Sequence, residues 1–526
     1  MKSRAGKIFQ QFRFFSIEQA ERLCYTIRDY EQSWKEAQRL AQNKKLHKLA
    51  LDSVPFGTEE QNAEWMKMRK IPLPQGVSSK QMYMDTFRIA WPSLVELTLA
   101  QLASMVDMMM VGKLHYTAVT AVGLTTQPIF LLMTLIMALN VGVTALVAQN
   151  KGAGKKDRAE LALRQAMMIN FGIAVLMTGI GVAFARPMVK FMGAQTEETL
   201  QNAAEYLRIR MYGFLAFGLT STITAALRGA GDSRTAMFYN VIANAVNVLF
   251  NYLLIFGNWG FPRLEVAGAA WATIIGQYIA FVIAMVFVMK KSERKYLHLD
   301  LKKGFKPDKD TIKNMVMIGI PSMIEQLIMR VGMVIFAKTV ASIGELEFAT
   351  HNICMNIQAL SFMVGQAFAV SGTSLVGQSL GKSRKDMALA YGKRTVIFGV
   401  ICACVLMLLF FFFGGTIVSW YNGESEVVRL GSIIMSFVAF IQPFQTMQFI
   451  QAGALRGAGD TRSTAIVTLI TVVFVRAALG LLFVFVFHWG LIGAWVALAL
   501  DQLVRTVLIF LRYRSRKWMN YARAAR

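Results

Sequence analysis

The chain has 526 residues, 55% of them hydrophobic and only 17% charged, with a mean hydropathy of +0.44. That balance carries more apolar surface than a soluble fold can bury and indicates a membrane protein. The net charge of +25 would suggest nucleic acid in a soluble chain. In a membrane protein a Lys and Arg excess follows from topology, so no nucleic-acid partner is expected.

Residues 1–84 are polar and rich in helix formers, with no apolar core of the kind a cleaved secretory signal requires. Ile17, Leu23, Ile27, Tyr30, Trp34 and Leu40 recur at helical spacing, and Lys44, Lys45 and Lys48 follow. This predicts a cytosolic amphipathic helical extension, which ends in a linker marked by Pro72, Pro74 and Gly76.

Twelve apolar segments come next, beginning near Met84, Ala118, Ala159, Leu200, Thr235, Val266, Asn314, Phe348, Ala388, Val427, Ala465 and Leu491. Each is long enough for a hydrocarbon layer of roughly 30 Å. Alternate connections hold most of the basic residues: Lys151, Lys155, Lys156 and Arg158; Arg228 and Arg234; the run 290–313; Lys382, Arg384 and Lys385; Arg456 and Arg462; and the tail 512–526. The other connections hold only Lys113, Arg186, Lys190, Arg263 and Lys338. Excess Lys and Arg mark the cytoplasmic side, so both termini are expected there, in a plasma membrane.

The chain repeats itself. Trp-Pro-Ser-Leu-Val-Glu at 91–96 returns 229 residues later as Ile-Pro-Ser-Met-Ile-Glu at 320–325, and Thr-Ala-Leu-Val-Ala-Gln at 144–149 returns as Thr-Ser-Leu-Val-Gly-Gln at 373–378. Leu-Arg-Gly-Ala-Gly-Asp at 227–232 returns at 455–460, and 268–277 resembles 493–502. The expectation is therefore an all-α polytopic membrane protein with twelve transmembrane helices in two parallel six-helix repeats, the arrangement of a transporter with a central site. Its parts are the extension and linker 1–84, a first lobe 85–290, an inter-lobe loop 291–312, a second lobe 313–515 and a basic tail 516–526.

Catalytic and nucleotide-binding motifs are missing: Gly152-Ala-Gly-Lys155 lacks the spacing of a phosphate loop, and no His-Glu-x-x-His pair or Cys cluster occurs. The chain is not expected to be an enzyme or to hold a cofactor or resident metal. Uphill transport would then draw on protons or sodium.

Charge within a span is costly, so each such residue is a site candidate. Asp107 lies deep in the first span, either binding a coupling proton or cation or tying that helix to a neighbour. Glu96 lies nearer the cytoplasmic end. Asn240, Asn244, Asn247 and Asn251 share one face of the fifth span, which either lines a polar pathway or glues helices. Thr273 and Gln277 form a shorter polar face on the sixth. In the second half Arg476 stands 229 residues after Asn247 and Arg330 the same distance after Gln101; Asp501 and Arg505, four apart, can pair. With Glu325 these residues form a structural network, a proton-sensitive ion-pair cluster or a counter-charge for an anionic substrate. His351 is a packing residue or a proton carrier.

The sequence Val-Asp-Met-Met-Met-Val-Gly at 106–112, the doubled Leu-Arg-Gly-Ala-Gly-Asp-(Ser/Thr)-Arg, Gly-Gln-x-Leu-Gly at 377–381 and the two six-span halves resemble bacterial multidrug and toxin extrusion (MATE) transporters. That family lies within the multidrug/oligosaccharidyl-lipid/polysaccharide exporter superfamily. The resemblance covers residues 85–515 and implies V-shaped lobes and cation-coupled export of organic, often cationic and amphipathic compounds. It places Asp107 as the coupling carboxylate, Asn247 and Asn251 at the family's fifth-span positions, and Thr273 at its sixth-span threonine. Asn251 stands where some members have an aspartate, leaving H+ or Na+ as the coupling ion, with Na+ at Asp107 the one metal envisaged. Small-molecule substrates, the bilayer and a monomeric state are expected. The alternative is a flippase or exporter of an anionic lipid-linked or phosphate-bearing substrate, motivated by Arg330, Arg476 and Arg505.

Overall fold

A computed structural model describes residues 49–67, 73, 77–114, 116–194, 196–291, 295–300, 304 and 306–522. The helix expected over 17–40 and the lysines after it lie outside these residues. Met1–Pro55 and Phe56–Arg526 are separate compact units. In the first, the described part is a 3-10 turn, Ala50–Ser53.

The second unit is helical throughout its spans. After a short helix, Glu59–Lys67, come α1 (Ser79–Gly112), α2 (Tyr116–Gly152), α3 (Lys156–Ala183), α4 (Glu197–Tyr212 continued by Phe214–Gly229), α5 (Ser233–Phe256) and α6 (Glu265–Met289). The second set is α7 (Lys309–Ala341), α8 (Glu345–Gly381), α9 (Lys385–Tyr421), α10 (Ser425–Ala458), α11 (Thr461–Val486) and α12 (Gly490–Arg514). Eleven are single helices long and apolar enough to span a bilayer. The remaining one, α4, is two 16-residue helices meeting at Gly213. Each span starts one to five residues ahead of its apolar segment, and in several the added first turn is polar and capped. Ser78 accepts the Gln81 N–H ahead of α1, Asp232 the Thr235 N–H ahead of α5, and Asp308 the Thr311 N–H ahead of α7.

Pro92 and Pro321 occupy matching places inside α1 and α7; neighbouring helices let a membrane helix tolerate such a break. One apolar core gathers around Ile223, Leu163 and Tyr239 of the first lobe and takes in Met315 and Ile318 of α7, and a second lies around Trp495, Val438 and Phe336 of the second lobe.

The lobes touch along α2 and α8, each of which also packs on the first helix of the opposite lobe. At the end carrying the basic loops the repeated motifs interlock. Gln149 donates to the Gly457 carbonyl at 2.9 Å, and its equivalent Gln378 donates to the Gly229 carbonyl at 3.1 Å. Those two glycines belong to the doubled Leu-Arg-Gly-Ala-Gly-Asp motif, so each half's glutamine reads the other half's loop. The crossing is close enough to require glycine at Gly152 and Gly381, where a Cβ would strike the carbonyls of Gln378 and Gln149. Thr86 with Thr395, and Tyr391 donating to Asp85 at 2.8 Å, add to the same seam.

Candidate functional site

In the first lobe α1, α5 and α6 pack side by side, which brings the polar stripe of α5 against Asp107. Asn251 donates its amide to Asp107 Oδ1. With its nitrogen facing the carboxylate, the Asn247 amide donates to Asp107 Oδ1 and Oδ2 at 3.0 and 3.2 Å, and its oxygen accepts from the Thr273 N–H at 3.3 Å. Asn247 and Asn251 are buried. One carboxylate thus sits in a ring of neutral amides, with the Thr273 hydroxyl beside Asn247.

Sequence reasoning missed the nearest cation. Arg210 of α4 acts through space on Asp107 and on Tyr206, one turn away on its own helix. Its Nε and Nη1 are buried without a hydrogen-bond partner. The available signal was a lone basic pair, Arg208 and Arg210, inside an apolar segment.

Glu96 forms a second group nearer the basic loops. It is only 5% exposed, accepts from Asn240 at 2.6 Å and pairs with Arg228 at 2.8 Å. Glu325 repeats this in the second lobe, pairing with Arg456 at 2.5 Å and accepting from the Thr464 hydroxyl at 2.8 Å. Arg228 and Arg456 are the arginines of the doubled loop motif. They read as topological loop charges in the sequence, yet each reaches back to the first helix of its own lobe. Asn244, half-buried between the two first-lobe groups, bonds to neither carboxylate.

Other candidates lie apart. Gln277 abuts Gly213 at the break in α4, its oxygen buried and unpartnered. His351 stands in an aromatic box, 5.5 Å from Phe336 and 5.6 Å from Trp495 by ring centres.

Deep in the second lobe Asp501, fully buried, takes two arginines. Arg476 donates through Nε at 3.0 Å and through Nη2, and Arg505 through Nη2 at 2.7 Å. Arg330 makes no ion pair among the described residues; its guanidinium lies 4.3 Å from the centre of the Phe130 ring of α2. Glu325, grouped in the sequence with these second-half charges, is instead taken by Arg456. No group of three or more His, Cys, Asp or Glu able to hold a metal occurs among the described residues.

The family model MatE matches residues 92–253 and 321–482, two stretches separated by the internal repeat distance. The probable multidrug resistance protein NorM of Thermotoga maritima is 27% identical over 83% of this chain and 93% of its own. An uncharacterized transporter, YisQ of Bacillus subtilis, is 26% identical over 82% and 94%. The solved outward-facing conformation of a multidrug resistance MATE family transporter of the MOP superfamily superposes with a TM-score of 0.77 at 20% identity, covering 85% of this chain and 98% of that one. With the repeat, the two six-helix lobes and the matched stretches in agreement, the chain belongs to the MATE family of multi-pass membrane transporters.

Proposed function

We propose that the protein is a secondary antiporter, exporting organic compounds from the cytoplasm in exchange for protons or sodium, with Asp107 as the coupling carboxylate. The observation that carries this reading is the Asp107–Asn251–Asn247 group: a single carboxylate within a span, whose hydrogen-bond partners are neutral amides from another helix. Protonation removes the charge that holds both amides, and a bound cation needs the amide oxygens turned inward instead. Either event changes how α1 docks on α5, which is how ion occupancy biases the lobe. Arg210 competes with an incoming cation for the carboxylate, so ion arrival and departure are tied to the position of α4.

The multidrug names of the relatives support organic substrates for this chain too. The basic loops support a plasma membrane orientation with both termini cytoplasmic, so the interlocked seam closes the cytoplasmic side. No cofactor enters this mechanism, and one chain contains both lobes, as a monomer requires.

The test is efflux of ethidium from proteoliposomes under an imposed proton gradient or an imposed sodium gradient, each also run with Asp107→Asn. One gradient drives efflux and the variant abolishes it. Gradient-driven efflux that persists in Asp107→Asn overturns the assignment. The cations of the second lobe support a second reading, export of an anionic lipid-linked or phosphate-bearing compound.

A further inference from the structure

We propose that the interior of the second lobe binds an anionic group, a carboxylate, a phosphate or a free halide, against Arg505 and Arg476. Asp501 is the one carboxylate paired with these two arginines, and all three side chains are at most 5% exposed. Arginine does not shed its proton in proteins, so the group carries one positive charge that no carboxylate among the described residues pairs with. A merely structural clasp between α11 and α12 needs one arginine. The second adds the cost of burying an uncompensated cation.

The unused valence points the same way. Arg505 Nε is buried with no partner, and its Nη1 is spent on the Met329 sulfur at 3.0 Å, a weak acceptor for a charged donor. The Thr506 hydroxyl, one residue after Arg505, donates to the Phe444 carbonyl of α10 at 3.0 Å. There the neighbouring Gln445 is 1% exposed with both amide atoms unpartnered. A buried guanidinium edge with a free donor is the element an anion site needs, and the unpartnered Gln445 amide lies on the helix to which Thr506 bonds.

The backbone is built for it as well. Arg476 is carried on a π-helical stretch, Ile470–Ala477, followed by a second at Leu482–Val486. The extra residue per turn of such bulges recurs at functional sites.

The proposal rests on the export reading where the anionic group belongs to the exported compound; a free halide fills the same site without it. The experiment measures the thermal midpoint of the purified full chain as sodium benzoate, phenyl phosphate, sodium chloride or neutral benzamide is added. Wild type and two variants, Arg505→Gln and Arg476→Gln, each of which leaves one neutral Asp–Arg pair, are compared. The wild type is stabilised by the anions and not by benzamide, and each variant binds about 10-fold to 100-fold more weakly, the loss of a charge-assisted hydrogen bond. Stabilisation by benzoate or phenyl phosphate that chloride does not displace assigns the site to an acidic group of the substrate. Stabilisation by chloride that blocks the aromatic anions assigns it to the halide. A wild-type protein equally indifferent to benzoate, chloride and benzamide overturns the proposal even if neither variant folds, as does an equal response of wild type and variants to the anions. Ethidium efflux measured on the same preparations separates the two readings. Gradient-driven efflux without anion binding overturns this site alone, and anion binding without gradient-driven efflux overturns the antiport reading alone.

Discussion

The two lobes treat their buried charges alike at one depth and oppositely at another. Near the basic loops Glu96 pairs with Arg228 and Glu325 with Arg456, so each lobe ties the loop motif to its own first helix by one matched ion pair. Deeper in, the first lobe surrounds Asp107 with amides, whereas the second gives Asp501 two arginines. The ion pairs are symmetric at the end where the two halves close on each other and differ where each half holds its deep carboxylate. On the proposed antiport reading the first lobe's carboxylate is the one that changes partners, whereas that of the second is locked between two arginines.

The largest expected effects separate those two carboxylates. Asp107→Asn reduces gradient-driven dye efflux to the level of empty vesicles while leaving the thermal midpoint near wild type, because an amide of the same shape can still bond to Asn247 and Asn251. Asp501→Asn does the reverse to stability. It strips two buried arginines of their countercharge, at a cost of about 3–5 kcal/mol, read as a large drop in the thermal midpoint of the purified protein. If the two substitutions prove equally destabilising, the contrast between a switchable and a locked carboxylate is wrong.

Next come the matched pairs. Glu96→Gln and Glu325→Gln each leave a partly buried guanidinium with a neutral partner and cost about 1–3 kcal/mol. Equal losses in chemical denaturation support a shared structural role at the loop end. A silent substitution in one lobe breaks the symmetry there.

Much of this was legible beforehand, for reasons particular residues make clear. The asparagine stripe of α5 is periodic, so its face could be read from spacing alone, and its meeting with α1 followed once a charge was recognised as needing company. Arg210 escaped because periodicity says nothing about which of several apolar helices turns toward Asp107. Arg228 and Arg456 escaped for another reason. Counting loop charges settles orientation, but a long arginine at a helix end can reach back along its own lobe. Both appear in a doubled motif downstream of a doubled glutamate, 132 residues on in the first half and 131 in the second, and opposite charges repeated at nearly one spacing were the available clue to a pair. The interlocking of Gln149 and Gln378 with the opposite lobe's glycines could not be read at all, since it depends on how two helices cross.

That crossing gives a smaller effect. Gln149→Ala and Gln378→Ala each remove one inter-lobe hydrogen bond, about 1 kcal/mol, and weaken closure of the seam. A cysteine introduced beside the seam should become more reactive to a water-soluble maleimide by about fivefold in either variant. Reactivity that rises for one variant only would mean that the two halves of the latch carry unequal load.

The smallest effect compares how the lobes start. α1 is capped by Ser78, which does not titrate, and α7 by Asp308, which does. Hydrogen bonding from Thr311, through its side chain and then its backbone N–H, holds the Asp308 carboxyl below its ordinary value of 3.8, against a weaker opposing effect of burial. A carboxyl with a depressed folded-state pKa contributes stability that is fully present above the ordinary value and is lost as pH falls through the depressed one. Acid below about pH 4 therefore loosens the start of α7 while leaving the cap of α1 intact. Asp308→Asn keeps a capping oxygen without the proton equilibrium. Its thermal midpoint should fall less steeply than that of wild type between pH 5 and pH 3 on this scale, whereas Ser78→Ala should lower the midpoint by the same amount across that range. Parallel curves for wild type and Asp308→Asn would show that the cap is too solvated to couple to folding, and the two lobes would then begin in the same way.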